Sequence, residues 1–221
     1  MIKFISEIPT ISYGIIPWGG PIPPIIVIAA IKIAKTFFFR KKLLVLGMEQ
    51  AGKTELFHKL MRKERKNNDQ TAENEVEAFT ITNKNGKKIR VAKGKDYGGS
   101  EAFMIQLANS IKDYDLLFFI FDAKKYLKDN EYKTHCNARL EKIYRECKNE
   151  ESCKLKNVYC LASHADVIRK EEGRSYAQIT NELKTSVQEK DYSSVFKNII
   201  VLDITNQTDV DKFKDQINLN N

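Results

Sequence analysis

The residues with the clearest chemistry lie together in Gly47-Met48-Glu49-Gln50-Ala51-Gly52-Lys53-Thr54. They spell G-x-x-x-x-G-K-T directly after the apolar run 43–46, which has strand character. Glycines at both ends let the backbone bend so that the N–H groups of Glu49, Gln50 and Ala51 converge on a phosphate chain, and Lys53 adds a positive charge on a flexible stem. Thr54 offers its hydroxyl to Mg²⁺. Glu55 then opens an amphipathic helical stretch running to Met61, whose N-terminus points at the same anion.

Two further groups carry compatible chemistry. Lys95-Asp96-Tyr97-Gly98-Gly99-Ser100 contains D-x-x-G: an aspartate at a strand end can hold Mg²⁺ through water, and Gly99 lets a backbone N–H reach a terminal phosphate. The run 158–162 ends in Ser163-His164-Ala165-Asp166, whose carboxylate is an acceptor suited to two donors. His58, His135 and His164 are scattered, and no His/Cys group has metal-ligand spacing.

These residues need a scaffold of strands ending at one edge. Runs 76–82 and 88–92 flank Asn83-Lys84-Asn85-Gly86, a strong hairpin signal. The continuous apolar runs 116–121, 158–162 and 199–202 read as buried parallel strands. Helical stretches are expected near 101–112, 131–147, 174–189 and 207–217, and a polar loop over 62–70. Together they predict an α/β domain with a six-stranded, mostly parallel sheet and helices on both faces. Lys124-Lys125-Tyr126-Leu127-Lys128 reads as a solvated face.

The 221 residues allow one full α/β domain plus an appendage. Of the net charge of +8, residues 1–42 hold +5 (Lys3, Lys32, Lys35, Arg40, Lys41 and Lys42 against Glu7). The basic excess belongs to one junction, and with no RNA-binding or helix-turn-helix signature nucleic acid is not the expected partner. Cys136, Cys147, Cys153 and Cys160 show no C-x-x-C spacing and are expected to be reduced.

Residues 8–31 lack charge and contain all five prolines; a cleaner apolar helix spans 25–39 and stops at Arg40-Lys41-Lys42. Fifteen helical residues rise only about 22 Å against a hydrocarbon core of roughly 30 Å. Three readings stay open: an N-terminal membrane anchor through residues 8–39, favoured because the basic cluster follows it; a cleaved leader; and a segment packed on the domain or a partner. The division expected is 1–41 as this apolar helical segment and 42–221 as the globular domain, on the cytoplasmic side of a membrane.

In order and type, the phosphate loop, polar loop, hairpin and D-x-x-G resemble the Ras-like small GTPases of the P-loop superfamily. Gly47 to Thr54 together with Asp96 to Gly99 look most like the ADP-ribosylation-factor branch and the β subunit of the signal recognition particle receptor. The resemblance covers about residues 42–218. It implies GTP/GDP and Mg²⁺ as ligands, Thr54, Asp96 and Thr71 as metal-side residues (Thr80 being the other candidate switch threonine), and Gly99 as sensor of the γ-phosphate. It also implies Asp166 as reader of guanine, with Ser163 and His164 replacing the family's Asn and Lys, and Thr205 in the last base loop. Lys53 and Ser100 stand nearest the reaction. Ser100 occupies the place of the family's water-orienting glutamine, so hydrolysis is expected to be slow. The function implied is a membrane-anchored nucleotide switch or docking subunit for a protein effector; the alternative is a non-hydrolysing, nucleotide-bound scaffold that recruits a partner to the membrane.

Overall fold

The computed structural model describes residues 42–62, 74–76, 78–82, 88–91, 94–96, 111, 114–148 and 157–217, with 74–76, 88–90, 94–96 and 157 described by their backbone. The segment 1–41, the expected helix 101–112 apart from Ile111, Thr71, Gly99, Ser100 and Cys153 lie outside these residues. Among the described residues no helix is long and apolar enough to cross a membrane.

In chain order the elements are β1 (Leu43–Gly47), α1 (Lys53–Met61), β2 (Asn74–Val76), β3 (Phe79–Thr82), β4 (Lys88–Val91), β5 (Gly94–Asp96), β6 (Leu116–Asp122), α2 (Ala123–Lys128), α3 (Asn130–Lys148), β7 (Asn157–Ser163), α4 (Ala165–Glu172), α5 (Tyr176–Thr185), a 3₁₀ helix (Asp191–Asn198), β8 (Ile199–Val201) and α6 (Gln207–Gln216). Strands β5, β1, β6, β7 and β8 lie side by side in parallel, and β2 adds an antiparallel edge to β5.

The composition of the sheet corrects the sequence-based expectation. Among the described residues the hairpin strands β3 and β4 pair only with each other, as a separate antiparallel ribbon. Four of the six expected strands therefore enter the sheet. The remaining places go to the three-residue strands β2 and β5, too short and too polar to give an apolar run. Ile81 is buried while its neighbours Thr80 and Thr82 are exposed, so the ribbon buries one face.

All seven residues of β6 are buried, and alternation sends its aromatics to both faces. Phe118 meets Phe213 of α6 edge-on at 5.0 Å and Tyr159 at 5.8 Å. On the other face Phe121 lies 5.1 Å from Tyr126 of α2 and 6.0 Å from Phe196 of the 3₁₀ helix. Helices thus cover both faces, as a parallel sheet requires.

Short helices account for the other differences. Residues 124–128, read as a solvated face, form α2, which buries Tyr126 and links to α4 through Lys124–Glu171 at 2.7 Å and Lys128–Glu172. The stretch 174–189 is helical only over α5, which starts at a capping box between Ser175 and Gln178. Immediately before it α4 closes at Gly173, whose φ of +69° suits a helix C-cap. Cys136, Cys147 and Cys160 are free thiols.

Candidate functional site

Parallel register brings the C-terminal ends of the strands to one edge, where α/β folds bind ligands. Gly47 stands opposite Ile120, Asp122 opposite Ser163, and Ala162 opposite Val201. The loops after β1, β6, β7 and β8 therefore share this edge. Asp96 ends β5 with its backbone paired to Val45, so it lies one strand from the phosphate loop.

The phosphate loop is held by its backbone. A Cβ on Gly47 would sit 2.0 Å from the Ile120 carbonyl oxygen, so only glycine fits there. Met48 N–H donates to the same Ile120 oxygen at 2.9 Å, and the Met48 side chain is buried. The chain then turns through Gln50 (φ +57°) and Gly52 (φ +94°) into α1. Within α1 the first bond is Leu56 N–H to Gly52 oxygen at 2.9 Å. Gly52, as N-cap, has no side chain to bond the first turn of α1. Lys53, only 8% exposed, folds back so that its ammonium donates to the Met48 carbonyl at 2.7 Å. Thr54 is half-buried in the first turn, and Glu55 pairs with Lys59 at 3.7 Å. Glu49 and Gln50 are exposed at the crest and Ala51 is buried beneath it. A helix N-terminus behind a glycine N-cap and a buried ammonium fit a nucleotide's phosphates.

The ends of β6 and β7 form the second part of the site. Ser163 donates its hydroxyl hydrogen to the Phe121 carbonyl at 3.0 Å, tying β7 to β6. His164 is left-handed (φ +57°), and its Nδ1 lies 2.9 Å from Ser163 Oγ and 3.6 Å from Asp122 Oδ2. Asp166 occupies the first turn of α4 with its carboxylate 3.0 Å from Lys170 Nζ. After β8, Asp203 accepts from both Thr205 N–H (2.8 Å) and Thr205 Oγ1 (2.6 Å), so that threonine is engaged within its own turn. Ile204 Cδ1 is the nearest neighbour to the Cα substituent position of Gly52, at 3.3 Å, which brings the last loop against the phosphate loop.

Three contributors escaped the reading of motifs. Asp122, 8% exposed, caps α2 by accepting from Lys125 N–H at 3.0 Å. Its own N–H donates to the Tyr132 hydroxyl of α3 at 2.8 Å. Burial pushes the Tyr132 phenol well above its ordinary value, so it stays a neutral acceptor there. Seven residues on, Arg139 donates to the Gly47 carbonyl at 3.2 Å. The available signal was a cation on the apolar stripe of α3, three residues after Cys136 and one before Leu140, both buried.

The sequence matches the ADP-ribosylation factor family over residues 29–201. No curated protein matches it.

Proposed function

The chain belongs to the ADP-ribosylation factor family, a branch of the Ras-like small GTPases of the P-loop superfamily, and on that premise we propose that it is a membrane-anchored nucleotide switch or docking subunit with slow intrinsic GTP hydrolysis. The observation that carries the reading is the phosphate loop, seated against β6 by the glycine-only contact of Gly47 and carrying the buried Lys53 ammonium at the start of α1, where the phosphates of GTP or GDP would sit.

In this reading the amides of Glu49 to Thr54 and the Lys53 ammonium hold the β- and γ-phosphates. Thr54, Asp96 and Thr71 are the residues that would order Mg²⁺, which when bound offsets phosphate charge and orients the terminal group. Gly99 would report the γ-phosphate and Asp166 would accept from guanine. To do so Asp166 exchanges its exposed contact with Lys170, an exchange of small cost for a surface pair. Ser163 takes over a tying role by bonding β6, and His164, held left-handed beside it, offers a ring rather than a flexible amine to the base. Ser100 in place of a glutamine leaves the attacking water poorly oriented, which supports slow turnover. The uncharged run 8–31 and the Arg40-Lys41-Lys42 cluster support residues 1–41 as an anchor, with 42–221 on the cytoplasmic side.

Ser100 and the Ser163-His164 pair also favour a second reading, a scaffold that keeps nucleotide without hydrolysing it and recruits a partner to the membrane. Identifying the nucleotide that copurifies with the full chain, then titrating GTP, GDP and ATP with Mg²⁺ against wild type and Lys53→Ala, tests both. Guanine nucleotide bound by wild type and lost in the variant is the expected result. Preference for ATP refutes the guanine assignment, and no Mg²⁺-dependent binding at all refutes the switch and the scaffold together.

A further inference from the structure

The carbonyl groups of the first two phosphate-loop residues are each held by a cation from a different element. Lys53, within the loop's own helix, takes the Met48 carbonyl at 2.7 Å. Arg139, from α3, takes the Gly47 carbonyl at 3.2 Å. These are adjacent peptide groups, and a carbonyl can turn only if the N–H on the far side of the same peptide turns with it. The Gly47–Met48 peptide is fixed at both ends, its oxygen by Arg139 and its N–H by the Ile120 carbonyl at 2.9 Å. Gly47 by itself offers no side chain to resist rotation, so the constraint has to come from outside the loop.

Arg139 is placed for this by α3. Tyr132, two turns earlier on the same helix, fixes the helix to the end of β6 through the Asp122 N–H at 2.8 Å. Buried Cys136 and Leu140 hold the face of α3 between and beyond them. A cleft of about 480 Å³ opens between this face and the crest of the loop, lined by Glu49, Gln50, Lys125, His135 and Arg139 among others. Arg139 is half-buried, so its bond to a carbonyl is poorly screened, and a guanidinium-to-carbonyl bond is of the stronger, charge-assisted kind.

We propose that Arg139 is a positioning residue for nucleotide binding: its guanidinium locks the Gly47–Met48 peptide so that the loop amides stay aimed at the phosphates. The proposal rests on the nucleotide-binding reading of the same loop. The role assigned to Arg139 is exerted through the backbone, by its bond to the Gly47 carbonyl. Removing it costs some stability and lets the loop relax, and the relaxation reads most directly in faster nucleotide release.

The test measures dissociation of a fluorescent GDP analogue and urea unfolding for the full chain as wild type, Arg139→Ala, Arg139→Lys, and His135→Ala as a control on the same helix face. Arg139→Ala is expected to release GDP roughly 10- to 100-fold faster, the equivalent of one charge-assisted hydrogen bond. Arg139→Lys should recover part of this, and guanidinium added below denaturing concentration should slow release from Arg139→Ala while leaving wild type unchanged. A merely structural arginine would give no such rescue. If wild type binds GDP and Arg139→Ala releases it at the wild-type rate, or faster release is not rescued by either lysine or guanidinium, the positioning role is refuted and the function stands. If wild type binds no guanine nucleotide, the function is refuted and this role with it.

Discussion

Replacing Gly47 with alanine is the sharpest test of how the phosphate loop is built. The added Cβ would lie 2.0 Å from the Ile120 carbonyl oxygen and 2.8 Å from the carbon and nitrogen of the same residue, all backbone atoms of a fully buried central strand. A carbon and a carbonyl oxygen come no closer than about 3.3 Å without penalty, so the end of β1 must withdraw from β6 by more than about 1 Å. That movement breaks the Met48 N–H bond to Ile120 and the Arg139 bond to Gly47. The neutral bond contributes about 1 kcal/mol and the charged one about 1.5–3 kcal/mol, and residual overpacking adds about 1–3 kcal/mol. The expected loss is about 3.5–7 kcal/mol, a large share of the roughly 5–15 kcal/mol that holds a domain together. Two other glycines calibrate it. Gly52→Ala, also at positive φ, meets only the tip of Ile204 at 3.3 Å and should cost about 1–2 kcal/mol. Gly173→Ala, with φ +69° and nothing within 4 Å, should cost about 1 kcal/mol, or about 2–4 °C in melting temperature. Urea and thermal unfolding followed by circular dichroism measure all three. A Gly47→Ala protein within 1 kcal/mol of wild type, or less affected than Gly173→Ala, would refute the geometry on which the site is built.

Other expectations are as direct. Single-turnover hydrolysis of GTP by the unassisted chain should proceed at roughly 10⁻³ s⁻¹ or slower, and a rate of about 1–10 s⁻¹ without a partner would contradict the role given to Ser100. The Lys128 hydrogen bond to Glu172, joined by the one from Arg174, holds the Glu172 carboxyl below its usual value. A lowered folded-state value means stabilisation that is present above the ordinary glutamate value and lost as pH falls below it. The urea midpoint should therefore drop on acidification, and Glu172→Gln should flatten that drop; parallel curves would refute the linkage. Full-length protein should stay with membranes through high salt and alkaline carbonate and leave only with detergent, whereas 42–221 should be soluble. Release by salt alone would reduce the N-terminal segment to a charge contact.

The sequence showed some of this readily and some of it not at all, for identifiable reasons. Apolar runs of four or more residues, such as Leu43 to Leu46 and Leu116 to Phe121, announce buried parallel strands because both faces must be dry. The phosphate loop was legible because its chemistry dictates residue types at fixed spacing. Strands β2 and β5 were hidden because three residues make no period, and the Asn-Gly turn correctly marked a hairpin while saying nothing about which sheet it would join. Helices α2 and α4 are single-turn to two-turn elements whose lysines and glutamates pair with each other, so their composition reads as surface loop. Arg139 and Tyr132 carry no motif at all, since their importance lies in which strand ends they reach through space.

The pairing of β1 with β6 has a consequence for how the chain is made. Leu43 aligns with Leu116, and among the described residues the intervening strands offer β1 only the three-residue β5. At roughly 5–20 residues per second of synthesis, about 70 residues of delay leave β1 without its main neighbour for about 4 to 15 s. When that neighbour emerges it is Leu116-Leu117-Phe118-Phe119-Ile120-Phe121, a six-residue window with no charge, no proline and strong strand propensity. On the ribosome this segment is an adhesive surface until β1 and β7 close on it, and β7 is the later of the two to appear. The nascent chain therefore has an interval in which it would be captured by chaperones, and slowing translation just after residue 122 should lengthen it.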